Sequence, residues 1–340
     1  MFPIAAIAVF LPPPCRADGL PMAYLRTAGP AADPVTRLQW GLIAISLLVV
    51  VIVTGLVLLA CLRRRRPRSG AARAADLPGE MPLEPDVGGT RWITVGVGIS
   101  AVVLLGSVVW TLATLSAIAA PTAEPALTVE LHARQFWWEA RYPGTPKTPA
   151  FVTANEIHIP VGVPVAFTLI GDDVIHSFWV PRLGGKTDMI PGRINHAWLQ
   201  ADAPGVYRGQ CAEFCGPQHA RMGLRVIADA PAQFDAWRRA QARPTGAGAN
   251  LPGQAVFRAH CARCHTVRGR SDADPDEHGP DLTHLMSRQT IAAGMLDNTP
   301  GRLAGWVSDA PALKPGARMP PMRLRPDELR AVVDYLTTLE

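Results

Sequence analysis

The apolar positions of this chain fall into distinct regimes. Two long uncharged runs come first, Trp40 to Leu62 and Trp92 to Ala120. The first holds 23 residues. At ~1.5 Å of rise per residue it spans about 35 Å, enough to cross a hydrocarbon core with some tilt. A buried core helix of that length without one charge is rare, so the two runs predict a transmembrane hairpin. From residue 126 to 229 the pattern becomes a short alternation. Val129 and Leu131, then Ile157 and Ile159, alternate with polar residues, and 165–170 is a short apolar strand. Pro143-Gly144, Gly184-Gly185, Pro191-Gly192 and Pro204-Gly205 punctuate this stretch. Strands of that length and spacing predict a sandwich or barrel of about 100 residues. Residues 238–250 have almost no large apolar side chain and, bounded as 230–250, read as a flexible linker. The remainder, 251–340, has helical patterning. Its last helix is predicted to start at Pro326, with Asp327 and Glu328 in the first turn and Leu329, Val332, Val333, Leu336 and Leu339 as one apolar stripe.

Charge orients the hairpin. The segment 63–91 carries seven Arg against four acidic residues. A short Arg-rich loop stays in the cytoplasm, which leaves the N-terminal segment and everything after Pro121 on the outer face. Residues 1–37 form an N-terminal segment whose apolar start reads as an atypical signal peptide, because no Lys or Arg precedes it. Cys15 invites lipidation, but the prolines at 12–14 fit a lipoprotein box poorly and favour an ordinary cysteine. The net charge of +5 would suggest nucleic acid if it lay on a folded surface. It does not: 124–229 hold nine basic and ten acidic residues, and 251–340 hold eleven of each. With no folded basic patch, nucleic acid is excluded as a partner. Four of the six cysteines fall in two short motifs, and Cys15 and Cys61 do not suggest a disulfide framework.

The first motif is the stretch from Cys211 to Met222, with Glu213, Cys215 and His219 between. Thiolate, imidazole and thioether form a soft donor set that favours copper over magnesium, calcium or manganese. A small disulfide loop between Cys211 and Cys215 is one rival, and a zinc site is another. His219 and Met222 at fixed short offsets, with Gly216-Pro217 turning the loop, favour copper. If the loop holds two metals it needs a second imidazole, and His176, on a polar break after an apolar strand, is the best placed. His132, His158 and His196 alternate with strand residues and read as non-ligands. The second motif, Cys261-Ala262-Arg263-Cys264-His265, is the attachment signal for a c-type haem, with a zinc or redox C-x-x-C as the rival. Two cysteines three apart on a helix face the same way, and the adjacent His265 reaches the iron. Met319, in a proline-rich loop, is the chosen sixth ligand, and Met322 is its rival. His260, His278 and His284 read as surface or packing residues. Methionine ligation raises a haem potential, which suits an electron carrier.

With these motifs placed, the chain resembles subunit II of the haem-copper cytochrome c oxidases, in the form with a fused C-terminal cytochrome c domain. The resemblance covers nearly the whole chain. It rests on C-x-E-x-C-G-x-x-H-x-x-M at 211–222, on the stretch 174–179, on Lys186-Thr187-Asp188 through Pro191-Gly192-Arg193, and on 279–285. It implies a multidomain membrane protein: a two-helix transmembrane hairpin (38–120), an all-β cupredoxin-like barrel (121–229) and an all-α cytochrome c domain (251–340). It implies a binuclear mixed-valence copper centre bridged by Cys211 and Cys215, with His176 and His219 one on each copper. Met222 and the backbone carbonyl of Glu213 would be weak outer ligands. The Glu213 carboxylate would face the catalytic subunit near a magnesium site, and the Pro280 carbonyl would orient His265.

The implied role is electron input to a terminal respiratory oxidase. Electrons would come from cytochrome c or a similar donor, pass by haem c and the copper pair, and go on to subunit I, which reduces oxygen and pumps protons. The implied partners are subunit I, the other oxidase subunits and the membrane. The implied place is a bacterial-type cytoplasmic membrane with both metal domains on the outer, periplasmic face. The chain would be part of an oxidoreductase without a complete active site of its own. Two departures stand out. Phe136 occupies the position where the family often has the Trp that accepts electrons, and Thr90-Arg91-Trp92 lacks the Glu many relatives carry at a proton channel. A nitric oxide reductase subunit, or a membrane-anchored copper-binding protein with a haem domain, are the alternative readings.

Overall fold

The computed structural model describes residues 22–63, 89–245, 251–270 and 279–340. Cys15, His278 and most of the Arg-rich loop lie outside the described residues. The chain divides into two compact units, one of residues 34–120 and one holding the N-terminal residues up to Asp33 with 121–340.

The smaller unit is built from α1 (Asp33–Arg63) and α2 (Gly89–Ile118). Both are apolar on every face, and side chains such as Leu47, Val51, Leu56, Val97, Leu104 and Val109 stay exposed. A helix on a water-soluble protein hides a single stripe; a helix bare and apolar all round is matched to lipid. Both helices are long and apolar enough to cross a membrane.

In the larger unit, strands β1 (Leu127–Arg134), β2 (Trp137–Tyr142), β3 (Phe151–Ala154), β4 (Glu156–Pro160), β5 (Val165–Gly171), β6 (His176–Trp179), β7 (Thr187–Met189), β8 (Asn195–Leu199), β9 (Gly205–Cys211) and β10 (Gly223–Asp229) form two five-stranded sheets. Their orders are β3-β2-β1-β5-β8 and β4-β10-β9-β6-β7. Most pairs are antiparallel, but β1 runs parallel to β5, with Val129 opposite Phe167, and β4 parallel to β10, with Ile157 opposite Val226. The stretch read as a short apolar strand alternates in its burial: Val165, Phe167 and Leu169 are buried while their neighbours are half-buried. Trp138, Phe167, Phe178, Leu131, Ile157 and Ile159 fill the space between the sheets. Each fully buried side chain of this kind contributes about 1.5–3 kcal/mol.

The stretch expected as a linker begins instead with helix α3, Pro231–Gln241. Pro231 sits at its start, and Phe234 is buried. The Trp237 ring stacks on His158 at 4.1 Å and meets Tyr142 and Phe151 edge-on. Phe234 and Trp237 are three apart, one helical face, which is why a stretch poor in apolar residues still packs on the sandwich.

The C-terminal domain follows with α4 (Leu251–His260), a two-residue ribbon of β11 (Thr290–Ile291) and β12 (Leu296–Asp297), α5 (Pro300–Ser308), α6 (Ala310–Leu313) and α7 (Pro326–Leu336). Helix α7 starts at Pro326 as expected, and Leu339 is buried although it lies beyond the helix end. Phe257, Leu303, Val307, Val332 and Leu336 share a second core. This domain does not hang from a free tether. It packs on the sandwich within the same compact unit, with Gly223 N donating to Ala293 O at 3.0 Å.

The packing predicts a core cost. Phe167→Ala should lower the stability of the sandwich by about 3–5 kcal/mol through lost burial and a residual cavity. Denaturant unfolding of the full chain, followed by tryptophan fluorescence, measures it.

Candidate metal centres

The first site is made by the sheet β4-β10-β9-β6-β7. Strands β9 and β10 pair antiparallel with Gly223 opposite Gln210. The next residues close the neck of the intervening loop, Cys211 N donating to Met222 O at 3.0 Å. On the other side of β9, Cys211 pairs with Phe178 of β6, and Ala212 N donates to Ser177 O at 3.0 Å. His176, at the start of β6, is thereby delivered beside Cys211. The loop turns through Gly216, whose φ of +130° suits glycine. A short 3-10 turn over His219–Arg221 returns it to Met222.

The donors fall into two sets. The Cys211 and Cys215 sulfurs are 3.8 Å apart, far beyond the ~2.05 Å of a disulfide. Cys211 has His176 Nδ1 at 3.8 Å and donates to the Glu213 carbonyl at 3.2 Å. Cys215 has His219 Nδ1 at 3.9 Å and Met222 Sδ at 3.9 Å. Each thiol therefore has its own imidazole and its own weak third donor. A single zinc ion takes four ligands; six donors in two matched sets suit a pair of soft ions that share the thiolates. Cys211, Cys215, His176 and Met222 are buried. The hydrogen bond between the two thiols, helped by His176, holds Cys211 well below the usual thiol range, and the same bond together with burial pushes Cys215 above it.

Asp173 supports this site and escaped the sequence reading. It accepts from His176 Nε2 at 2.8 Å, from Gln135 N at 2.7 Å and from Val174 N at 2.8 Å. Burial would raise its carboxyl, but these bonds outweigh it and hold the carboxyl below its usual value. With Nε2 occupied, His176 presents Nδ1 to the thiol pair, a carboxylate–histidine arrangement that fixes ring orientation. Gln135 Nε2 also donates to Cys215 O at 2.6 Å. The Glu213 carboxylate lies 3.6 Å from Lys186 Nζ at the surface.

The second site is a cavity of about 640 Å³ lined by Cys261, Cys264 and His265, by Met319 and Met322, and by apolar side chains including Leu303 and Trp306. Its volume, its apolar lining and its facing thioethers suit a large planar cofactor held by thiols and an imidazole. The cysteines lie just past the end of α4 rather than on it, in a turn that still winds helically, with Cys264 N and His265 N both donating to Cys261 O. His265 Nδ1 donates to Pro280 O at 2.8 Å, which leaves Nε2 as the free lone pair. Burial keeps this imidazole neutral, lowering its pKa. At Gly279 a Cβ would come within 2.6 Å of the His265 ring, so only glycine lets the chain pass. Met319 and Met322 are both half-buried on the cavity wall.

The other histidines are engaged elsewhere. His132 bonds Glu130 and Asp172, His158 bonds Asp229, and His284 bonds the carbonyls of Glu340 and Arg243. His196 and His260 are exposed.

Two family models match the chain. Residues 144–229 match the periplasmic domain of cytochrome c oxidase subunit II, and residues 251–340 match cytochrome c. Cytochrome c oxidase subunit 2 of Alkalihalophilus pseudofirmus is 39% identical over 217 residues, covering 62% of this chain and 61% of that one. The same subunit of Bacillus sp. strain PS3 is 34% identical over 228 residues, covering 63% and 62%. The chain thus spans about six-tenths of the length of these curated relatives. Among solved structures, the periplasmic domain of subunit II (CoxB) of Bradyrhizobium japonicum is 30% identical, covering 36% of this chain and 96% of that one, with a TM-score of 0.33.

The support given by Asp173 has a measurable consequence. Asp173→Ala should weaken copper binding by about 10–100-fold, as loss of a supporting carboxylate does at metal-bound histidines. A chelator-competition titration of copper into the full chain reads the change, and an unaltered affinity would contradict the assignment.

Proposed function

We propose that this chain, which joins a periplasmic domain of the cytochrome c oxidase subunit II family to a cytochrome c domain, is the electron-input subunit of a terminal respiratory oxidase. It would take electrons from cytochrome c or a similar donor, by way of a covalent haem c and a binuclear copper centre, to a catalytic subunit I that reduces oxygen and pumps protons. The observation that carries the reading is the two-set donor arrangement around Cys211 and Cys215 within one compact unit with the cavity of Cys261, Cys264 and His265.

When bound, the copper pair and the haem iron supply one-electron chemistry with little change of geometry. The chain's own residues set that up. Cys211, Cys215, His176 and His219 would hold the copper, with Met222 and the Glu213 carbonyl as weaker donors. Cys261 and Cys264 would hold the haem by thioether bonds, and His265, oriented by Pro280, would offer Nε2 to the iron. Met319 would supply the second protein ligand to the iron. Burial of the thiols and of His176 keeps water from the copper donors. The Glu213 carboxylate, paired at the surface with Lys186, would face subunit I and a magnesium ion at that interface. Helices α1 and α2 would anchor the chain in a bacterial-type cytoplasmic membrane with both metal domains on the periplasmic face, beside the other oxidase subunits.

The purified full chain should contain two coppers and one haem. One unpaired electron shared equally by two copper nuclei splits into seven hyperfine lines, so the half-reduced protein should give a seven-line EPR pattern. A four-line pattern from a single copper would end this reading. Met319→Ala should convert the haem from low-spin to high-spin; a retained low-spin spectrum would move the ligand to Met322.

A further inference from the structure

Phe136 stands where an external electron donor would be expected to approach the copper domain, yet it is 6% exposed. Its ring lies against both domains. A Cβ at Gly216, next to Cys215, would come within 3.1 Å of it, and one at Gly316, in the C-terminal domain, within 3.5 Å. Phe136 also lines the cavity that holds Cys261, Cys264 and His265, together with Arg134, Gln135 and Trp137. The copper domain therefore forms one wall of the haem cavity.

What holds the domains in this arrangement is a buried lysine. Lys314, 3% exposed, sends Nζ to three carbonyls: Phe136 O at 2.9 Å, Arg221 O at 3.0 Å and Ala292 O at 3.0 Å. An ammonium has three N–H donors and no acceptor, and here each donor meets one carbonyl. Two of the carbonyls belong to the copper domain, one beside the proposed ligand Met222 and one on Phe136 itself. A buried charge is tolerated when it is fully hydrogen-bonded, and it leaves an unsatisfied group if the surfaces part. A second buried charge crosses in the opposite direction. Glu156, 2% exposed, accepts from Gln289 N at 2.9 Å, from Thr290 N at 2.9 Å and from Thr290 Oγ1 at 3.1 Å. Arg318 reaches Asp173 at 3.4 Å, linking the residue before Met319 to the carboxylate that orients His176.

We propose that Lys314 is a positioning residue that seats the haem domain on the copper domain with the ring of Phe136 between them, so that the two metal sites face each other in the resting protein. Glu156 is the second clasp of the same seat. The proposal rests on the electron-input reading of the two sites, but the seat itself is a property of the chain. Electrons would then pass between two fixed sites, with no search by a swinging domain, and an external donor would meet the haem domain rather than Phe136.

Hydrogen exchange on the full chain tests the seat without any metal chemistry. The amides of Gly223 and Thr290, which bond across the two domains, should exchange as slowly as core amides of either domain. In Lys314→Met they should exchange about tenfold faster or more, through local opening of the seat, while core amides such as Val129 and Val333 keep their protection. Fast exchange of Gly223 and Thr290 in the unaltered chain, or unchanged exchange in the variant, would overturn the proposal.

A readout that a merely structural role would not move is the rate of electron passage between the loaded sites as solvent viscosity is raised. It should be independent of viscosity in the unaltered chain. In Lys314→Met it should be slower by about tenfold and viscosity-dependent, because a tethered domain must then find its partner. Viscosity dependence in the unaltered chain, or a variant rate unaltered and still viscosity-independent, would also overturn the proposal. If Lys314→Met does not fold, Glu156→Gln carries both measurements with the same expected and contrary outcomes. A chain lacking the two-copper signal would sink the electron-input reading, while the exchange result would still decide the seat.

Discussion

The hydrogen bond from Cys211 N to Met222 O, at the neck between β9 and β10, is the constraint on which the copper loop depends. It sets the first and last donors of the loop side by side, so the ten residues between must turn back on themselves. The pairing of Cys211 with Phe178 does the same for β6 and brings in His176 from a distant part of the chain. Both are ordinary ladder bonds of a β-sheet. The donor geometry is thus a consequence of strand register, and a register slip of one residue would turn Cys211 to the opposite face.

A second constraint acts on charge. Among the described residues, Lys314 and Glu156 are buried between two domains that each have an apolar core of their own. Burial depresses the Lys314 pKa to about 8. Apolar contact would hold the domains together with little preference for orientation. Directed bonds across the seam, from Lys314 to the Phe136 and Arg221 carbonyls and to Glu156 from two named amides, select one orientation and penalise the rest. That specificity puts the haem cavity against Phe136 and the loop of Cys215.

Much of this was legible in the sequence, and the reasons differ by element. The hairpin was plain from two uncharged runs, because lipid demands apolar residues on every helix face. The strands were plain from the period-two alternation around Val129 and Ile157 and from the short apolar run at 165–170. Both metal motifs were legible because their donors lie close together in sequence. His176 was found only by asking what the loop lacked. Asp173, Lys314 and Glu156 left no such trace. Lys314 and Glu156 act on groups far away along the chain, Asp173 on His176 nearby and on Gln135 at a distance, and a single charged residue carries no period and no motif. Helix α3 was missed because its whole apolar signal is Phe234 and Trp237, too little to stand out in a polar stretch. With α3 packed on the sandwich and the domains in contact, the stretch read as a flexible linker holds a packed helix over Pro231–Gln241.

In the proposed reading, one chain holds its electron source and its electron acceptor in fixed contact. The direct test is to reduce the haem of the loaded full chain with a single flash-generated electron and follow both sites over a range of chain concentrations. The structure predicts that haem oxidation and copper reduction share one first-order constant that does not change with concentration. A rate that scales with concentration, or copper that stays oxidised while the haem remains reduced, would contradict it.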